Sequence, residues 1–282
     1  MVKRKTLKEL TIKDNFMFGA VMCEEDNCKD LLELVLKFPI ARVEVSKEKS
    51  LVYHPEYKGI RLDVYAKDEN FTHYNVEMQA VSHAALGKRA RYYHSQIDMD
   101  LLETGKEYVE LPDSYVIFIC DFDPFGLNKY QYTFRNECQE GILAQLEDGV
   151  ETIFLSTKGT NTDEVSEELI KFLKYVGADL NNSMEDFGDD FVFRLQKTVN
   201  DIKQSRRMEE RYMLTSLLMQ DERRAGRIEG RKSTILESLS EFGNVPKELR
   251  LNIINEDDEN KLKSWARLVV KVTSIEQFLE EM

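Results

Sequence analysis

The carboxylates of Asp63 and Glu77 are the side chains of this chain best placed to do chemistry. Asp63 lies in the strand-like run Ile60–Ala66 and Glu77 in the run Phe71–Gln79, with the polar turn Lys67-Asp68-Glu69-Asn70 between them. Two such runs joined by a short turn predict an antiparallel hairpin. Side chains alternate between faces along a strand, so Leu62, Val64 and Ala66 are expected on one face and Asp63 on the other. In the second run Val76 and Met78 share a face, which leaves Glu77 and Gln79 opposite. A turn centred near Glu69 or Asn70 brings Asp63 level with Glu77 or one diagonal step away. Such partners lie roughly 4.5 to 8 Å apart. Two carboxylates at that separation can share one hard divalent cation, with Mg²⁺–oxygen distances of about 2.0 to 2.1 Å. The chemistry suggested is metal-dependent hydrolysis. By spacing alone, both residues also read as exposed strand carboxylates.

Arg89, Tyr93 and Gln96 follow at i, i+4 and i+7, one face of a predicted helix. A guanidinium, a phenol and an amide on one face suit a nucleic-acid phosphate backbone; a polar face with Tyr93 packed on a sheet is the plainer reading. His54, His73, His83 and His94 have no metal-ligand spacing, and His73 reads as solvated. No Gly-rich phosphate loop and no Ser or Cys nucleophile motif is present.

The elements that must position these residues alternate in type. Two helices are expected within 10–38, the first opened by Thr11-Ile12-Lys13-Asp14 as a capping box and the second ended by Pro39. Short strands are expected at 42–46 and 50–54, a helix over 82–104, and strands at 115–121, 130–135 and 152–156. Glu167 to Val176 reads as an amphipathic helix. This order implies an α/β fold around one sheet, with a domain over 1–190 and a helical region over 191–282. Residues 192–242 read as one long helix or two, with Gly226 and Gly230 as weak points. Ile235, Leu239 and Phe242 form one apolar stripe, and Leu262, Trp265, Val269 and Val272 another. Stripes so apolar, with no sheet to cover, can pack on each other, on the preceding domain or on a second chain; self-association of about Asn200 to Met282, a homodimer being the simplest form, is the expectation.

Composition is that of a globular chain: 282 residues, 42% hydrophobic and 32% charged. No stretch approaches a membrane span, and no apolar core follows Met1-Val2-Lys3-Arg4-Lys5, so a cytoplasmic location is expected. Cys23, Cys28, Cys120 and Cys138 have neither CxxC spacing nor disulfide-scaffold density, as in a reducing compartment. The net charge of -13 opposes a nucleic-acid partner. The charge is uneven, however. Residues 140–190 carry three Lys/Arg against 13 Asp/Glu, and 197–232 carry ten against six.

An acidic residue in one strand followed by (Asp or Glu)-x-(Lys or Gln) in the next resembles the PD-(D/E)XK nuclease core. Lys88-Arg89-Ala90-Arg91-Tyr92-Tyr93, Gly105-Lys106-Glu107-Tyr108 and Val116–Gly126 follow in the order of one family within it. Tyr132-Thr133-Phe134-Arg135-Asn136, Ile153-Phe154-Leu155 and Lys158-Gly159 complete the series. From about Leu10 to Val176 the chain resembles the PD-(D/E)XK nuclease family transposases, also called recombination-promoting nucleases. The resemblance implies a central mixed sheet flanked by helices and a Mg²⁺- or Mn²⁺-dependent cut of DNA, in recombination, mobile-element movement or defence. It implies that Asp63 and Glu77 hold the metal with the Met78 carbonyl, and that Gln79 stands where lysine is usual. Asp14 resembles an acidic residue near the start of the family's first helix and, like Glu33, is a further candidate for the metal shell; the capping box accounts for Asp14 equally well. A module of the same fold that binds DNA or protein without cutting is the alternative.

Overall fold

The structure is a computed structural model that describes residues 5–47, 49–51, 59–141 and 144–282. In chain order, α1 (Asn15–Met22) and α2 (Glu25–Leu36) precede β1 (Val43–Lys47), β2 (Ser50–Leu51), β3 (Ile60–Arg61), β4 (Val64–Asp68) and β5 (His73–Gln79). Helix α3 (Leu86–Leu101) leads to β6 (Ser114–Cys120), β7 (Gln131–Phe134), β8 (Val150–Ser156), α4 (Glu167–Gly177) and α5 (Asp190–Gln204). Then come α6 (Arg206–Ser240), α7 (Lys247–Ile254), α8 (Glu259–Leu268) and α9 (Ile275–Glu281).

One six-stranded sheet carries the fold, in the order β1-β4-β5-β6-β8-β7, and β2 pairs only with β3. Strands β5, β6 and β8 run parallel, while β1–β4, β4–β5 and β7–β8 are antiparallel. Parallel neighbours need a crossover, and α3 supplies it between β5 and β6. The expected mixed sheet flanked by helices is therefore present. Every residue of β5 is buried. Tyr65, Tyr93, Ile97, Val116, Phe118 and Phe154 pack together between α3 and the sheet. Helix α1 packs on β5 and α2 on β1.

The hairpin differs from expectation at its most important residue. Lys67 pairs with His73 and Val64 with Val76, so the turn centres on Asn70. Asp63 is not in a strand but at a bend between β3 and β4. The bend resets the alternation: Leu62 joins Tyr65 in the cluster under α3 instead of sharing a face with Val64. Helix α2 ends at Leu36 on a left-handed Lys37 (φ 63), before Pro39 is reached. Of the strand expected at 50–54, Ser50–Leu51 is found and 52–54, with His54, lie outside the described residues.

His73 is buried rather than solvated, 2.6 Å from the Tyr65 hydroxyl. His94 is buried between Ser114 Oγ (2.8 Å) and Thr152 Oγ1 (3.0 Å). Burial lowers both imidazoles to about 4, with the Lys49 and Lys67 charges adding to the effect at His73. An imidazole kept neutral in the fold protonates first in the unfolded chain, whose histidine titrates near ~6.5. Stability should thus be full above that pH and fall as pH drops towards about 4. Urea melts between pH 7 and 4.5 test this, and His94→Gln should flatten the decline.

The chain divides into two compact units, Met1–Met208 and Glu209–Met282. The boundary expected near residue 190 falls where α5 begins, and that helix packs on α1, α2 and α4 of the first unit. The helical stretch after Asp190 is two helices broken at Ser205, and Gly226 and Gly230 lie inside the second. In the second unit Ile235, Leu239, Leu262, Trp265, Val269 and Val272 close on one another as a single core. Phe242 is left 40% exposed. The apolar stripes that suggested a homodimer are satisfied within the unit, so that reason for self-association falls away. Ser274 Oγ accepts from the Gln277 backbone N–H (3.2 Å) and caps α9. Among the described residues, no helix is long and apolar enough to cross a membrane.

Candidate active site

The bend at Asp63 turns its carboxylate along the open edge of β5. Strand β4 pairs with β5 only as far as Val76, which leaves the end of β5 without a strand neighbour on that side among the described residues. Asp63 fills the gap: its Oδ2 accepts from the Met78 N–H (3.2 Å), and its own N–H donates to Glu77 Oε1 (3.1 Å). The two acids expected to meet do meet. Within a strand the N–H and C=O of one residue point to the same side, so the Met78 carbonyl shares the edge that Asp63 occupies.

Glu77 is 1% exposed, and its Oε2 accepts from Arg89 Nη2 at 2.8 Å. Arg89 Nη1 donates to Gln79 Oε1 (3.1 Å), and its Nε donates to the Tyr93 hydroxyl. On the helix face expected to meet phosphate, Tyr93 and Gln96 are turned inward, while the Arg89 side chain stays 35% exposed. Arg89 leans onto β5, Tyr93 is buried in a stack with Phe118, and Gln96 is buried. The helix face runs along the sheet because α3 is the crossover covering β5 and β6.

Burial raises the proton affinity of both Asp63 and Glu77, and at Glu77 the Asp63 charge adds to it; Arg89 opposes the shift at both. A buried glutamate beside a half-buried aspartate, with Arg89 paired to the glutamate, is poised for a cation. Among the described residues no three or more His, Cys, Asp or Glu side chains cluster as a metal site. The donors on hand are two carboxylates and a backbone carbonyl. Mg²⁺ keeps several waters and takes one or two carboxylates, so this set fits it.

The other acidic candidates point elsewhere. Asp14 Oδ2 accepts from the Thr11 N–H (2.8 Å) across the turn before α1, and its carboxylate pairs with Lys5. Asp14 is itself the N-cap residue of α1, without a side-chain cap, so the capping box expected from Thr11 is not formed. Its neighbour Asn15 reaches Asp63 Oδ2 instead (3.3 Å). Glu33 accepts from the Ile40 N–H (2.8 Å) and lies 3.4 Å from Lys29, holding the chain after α2.

Three features escaped the sequence reading. Asn15 is one. Asn75, buried two residues before Glu77 on the same face, has an amide without a hydrogen-bond partner among the described residues. Its period-two spacing with Glu77 and Gln79 was the available signal. The third sits at the ends of the parallel strands. Asp121 N–H donates to the Gln79 carbonyl (3.0 Å), and its carboxylate holds Lys13 and Lys158, each at 2.9 Å. Nothing in the sequence joins residues so far apart.

A sequence profile described as PD-(D/E)XK nuclease family transposase matches residues 13–225. The chain belongs to this family. The match spans every strand of the sheet and the pair Asp63–Glu77. Membership makes the domain nuclease-like, of a class that generally uses divalent metal ions on DNA. No curated protein matches the chain, and no solved structure does.

Proposed function

We infer that this PD-(D/E)XK nuclease family member is a Mg²⁺- or Mn²⁺-dependent endodeoxyribonuclease that hydrolyses DNA phosphodiester bonds, in recombination, mobile-element movement or defence. The observation carrying this reading is the meeting of Asp63 and Glu77 at the open edge of β5, beside the Met78 carbonyl. Asp63, Glu77 and that carbonyl would hold the cation. When bound, it supplies positive charge that polarises the phosphoryl group and makes a nearby water more acidic. Hydrolysis forms one P–O bond from water and breaks one to the leaving deoxyribose oxygen, which takes a proton. Gln79, uncharged, orients water or a phosphoryl oxygen through its amide. A cytoplasmic setting belongs to the same reading, supported by four cysteines that form no disulfide among the described residues.

Nicking of supercoiled plasmid with Mg²⁺, Mn²⁺, Ca²⁺ or EDTA tests the reading. Cleavage is expected with Mg²⁺ and Mn²⁺ and none with EDTA. Metal-independent cleavage would reject the metal site, and no cleavage under any condition would favour a non-cutting module of the same fold.

A further inference from the structure

We propose that Arg89 is the working cation of this site: it neutralises Glu77 in the metal-free protein and, once a divalent cation takes Glu77, serves the scissile phosphate. The inference deepens the nuclease reading above and rests on it. Phosphodiester hydrolysis spreads negative charge over the non-bridging oxygens, which needs fixed positive charge close by. Among the described residues the hydrogen-bonded group here is Asp63, Glu77, Gln79, Tyr93 and Arg89, with Arg89 its cation; the Arg61 charge is felt at Asp63 but forms none of these bonds. Gln79 provides no charge, yet its carbonyl oxygen grips Arg89 Nη1 (3.1 Å) and holds the guanidinium over the position of residue 79.

The geometry allows the change of partner. Glu77 and Gln79 lie two apart on one strand face, and the guanidinium bridges them. Tyr93 fixes its Nε, so release from Glu77 would leave it tethered at Gln79 and Tyr93. A guanidinium has more N–H groups than these contacts use. The Arg89 side chain is 35% exposed although Glu77 is 1% exposed, so its free N–H groups face the side from which a phosphate approaches. Arg89 and a metal ion would both draw on the Glu77 carboxylate, which Arg89 engages through Oε2. The guanidinium keeps a buried acid paired until the metal replaces it.

The competition gives effects of opposite sign. In Arg89→Ala, Mn²⁺ titrated calorimetrically at pH 8 should bind more tightly than in the wild type, by up to about tenfold, because a repelling charge is gone. Plasmid cleavage by the same variant should fall about 100-fold or more. Gln79→Lys in the Arg89→Ala background should restore at least about tenfold of the loss, since a cation returns to the same place. If Arg89→Ala loses its cooperative melt, Arg89→Gln replaces it in every arm. Unchanged or weaker Mn²⁺ binding, unchanged cleavage or no rescue by Gln79→Lys would each overturn the proposal. A wild-type chain inert with every metal would sink the nuclease reading itself, and the Mn²⁺ titration would still decide whether Arg89 and the metal compete for Glu77.

Discussion

Glu77→Gln should lower metal-dependent DNA cleavage by about 10³-fold while the protein remains folded. Glutamine keeps the shape but removes the charge a hard cation requires. Glu77 Oε1 accepts from the Asp63 N–H and Oε2 from Arg89, so one of these donors must then face an amide NH₂. The cost in stability is about 1–3 kcal/mol, small enough to leave a native chain. Glu77→Ala would cost more, because a charged Arg89 would lose its buried partner. Plasmid nicking, Mn²⁺ calorimetry and a thermal melt together separate loss of the site from loss of the fold. Wild-type cleavage in Mg²⁺ by Glu77→Gln would show that the metal pair has been misassigned.

Strand identities and their order around Glu77 were legible because runs such as Tyr115–Cys120 and Ile153–Leu155 are apolar enough to be nothing else. The approach of Asp63 to Glu77 was legible too, since a hairpin register follows from its turn. The bend at Asp63 was not. It depends on β4 separating from β5 beyond Val76 and on the Glu77 carboxylate bonding the Asp63 amide, a contact between side chain and backbone that no periodicity encodes. Arg89 was found by helical spacing but assigned outward, because spacing gives a face and not what the face meets. The partner of that face became clear only when α3 proved to be the crossover over β5 and β6. In the tail the stripes were read correctly as apolar, yet their partners were each other. A stripe records the need for cover, not its source.

Phe118→Ala should be the costliest single change in the core beneath the site. Phe118 pairs in register with Glu77 and is fully buried. Its ring stacks on Phe154 (centroids 5.1 Å apart) and on Tyr93 (6.1 Å), and the Arg89 guanidinium carbon lies 5.8 Å from its centroid. Truncation to alanine removes the whole ring and leaves a cavity that a sheet covered by α3 cannot collapse, at about 3–5 kcal/mol. A chain of ordinary stability, about 5–15 kcal/mol, survives that loss with a melting point lower by roughly 10 °C. The site should suffer as well, because Tyr93 loses the surface that keeps its hydroxyl on Arg89. Cleavage should therefore fall even at temperatures where the variant is fully folded. Phe134→Ala is the control: Phe134 touches the same aromatic group through Phe154 but is 47% exposed on edge strand β7, and its loss should cost about 1 kcal/mol with cleavage intact. Equal destabilisation by the two variants, or full cleavage by folded Phe118→Ala, would mean that the ring stack does not support the site.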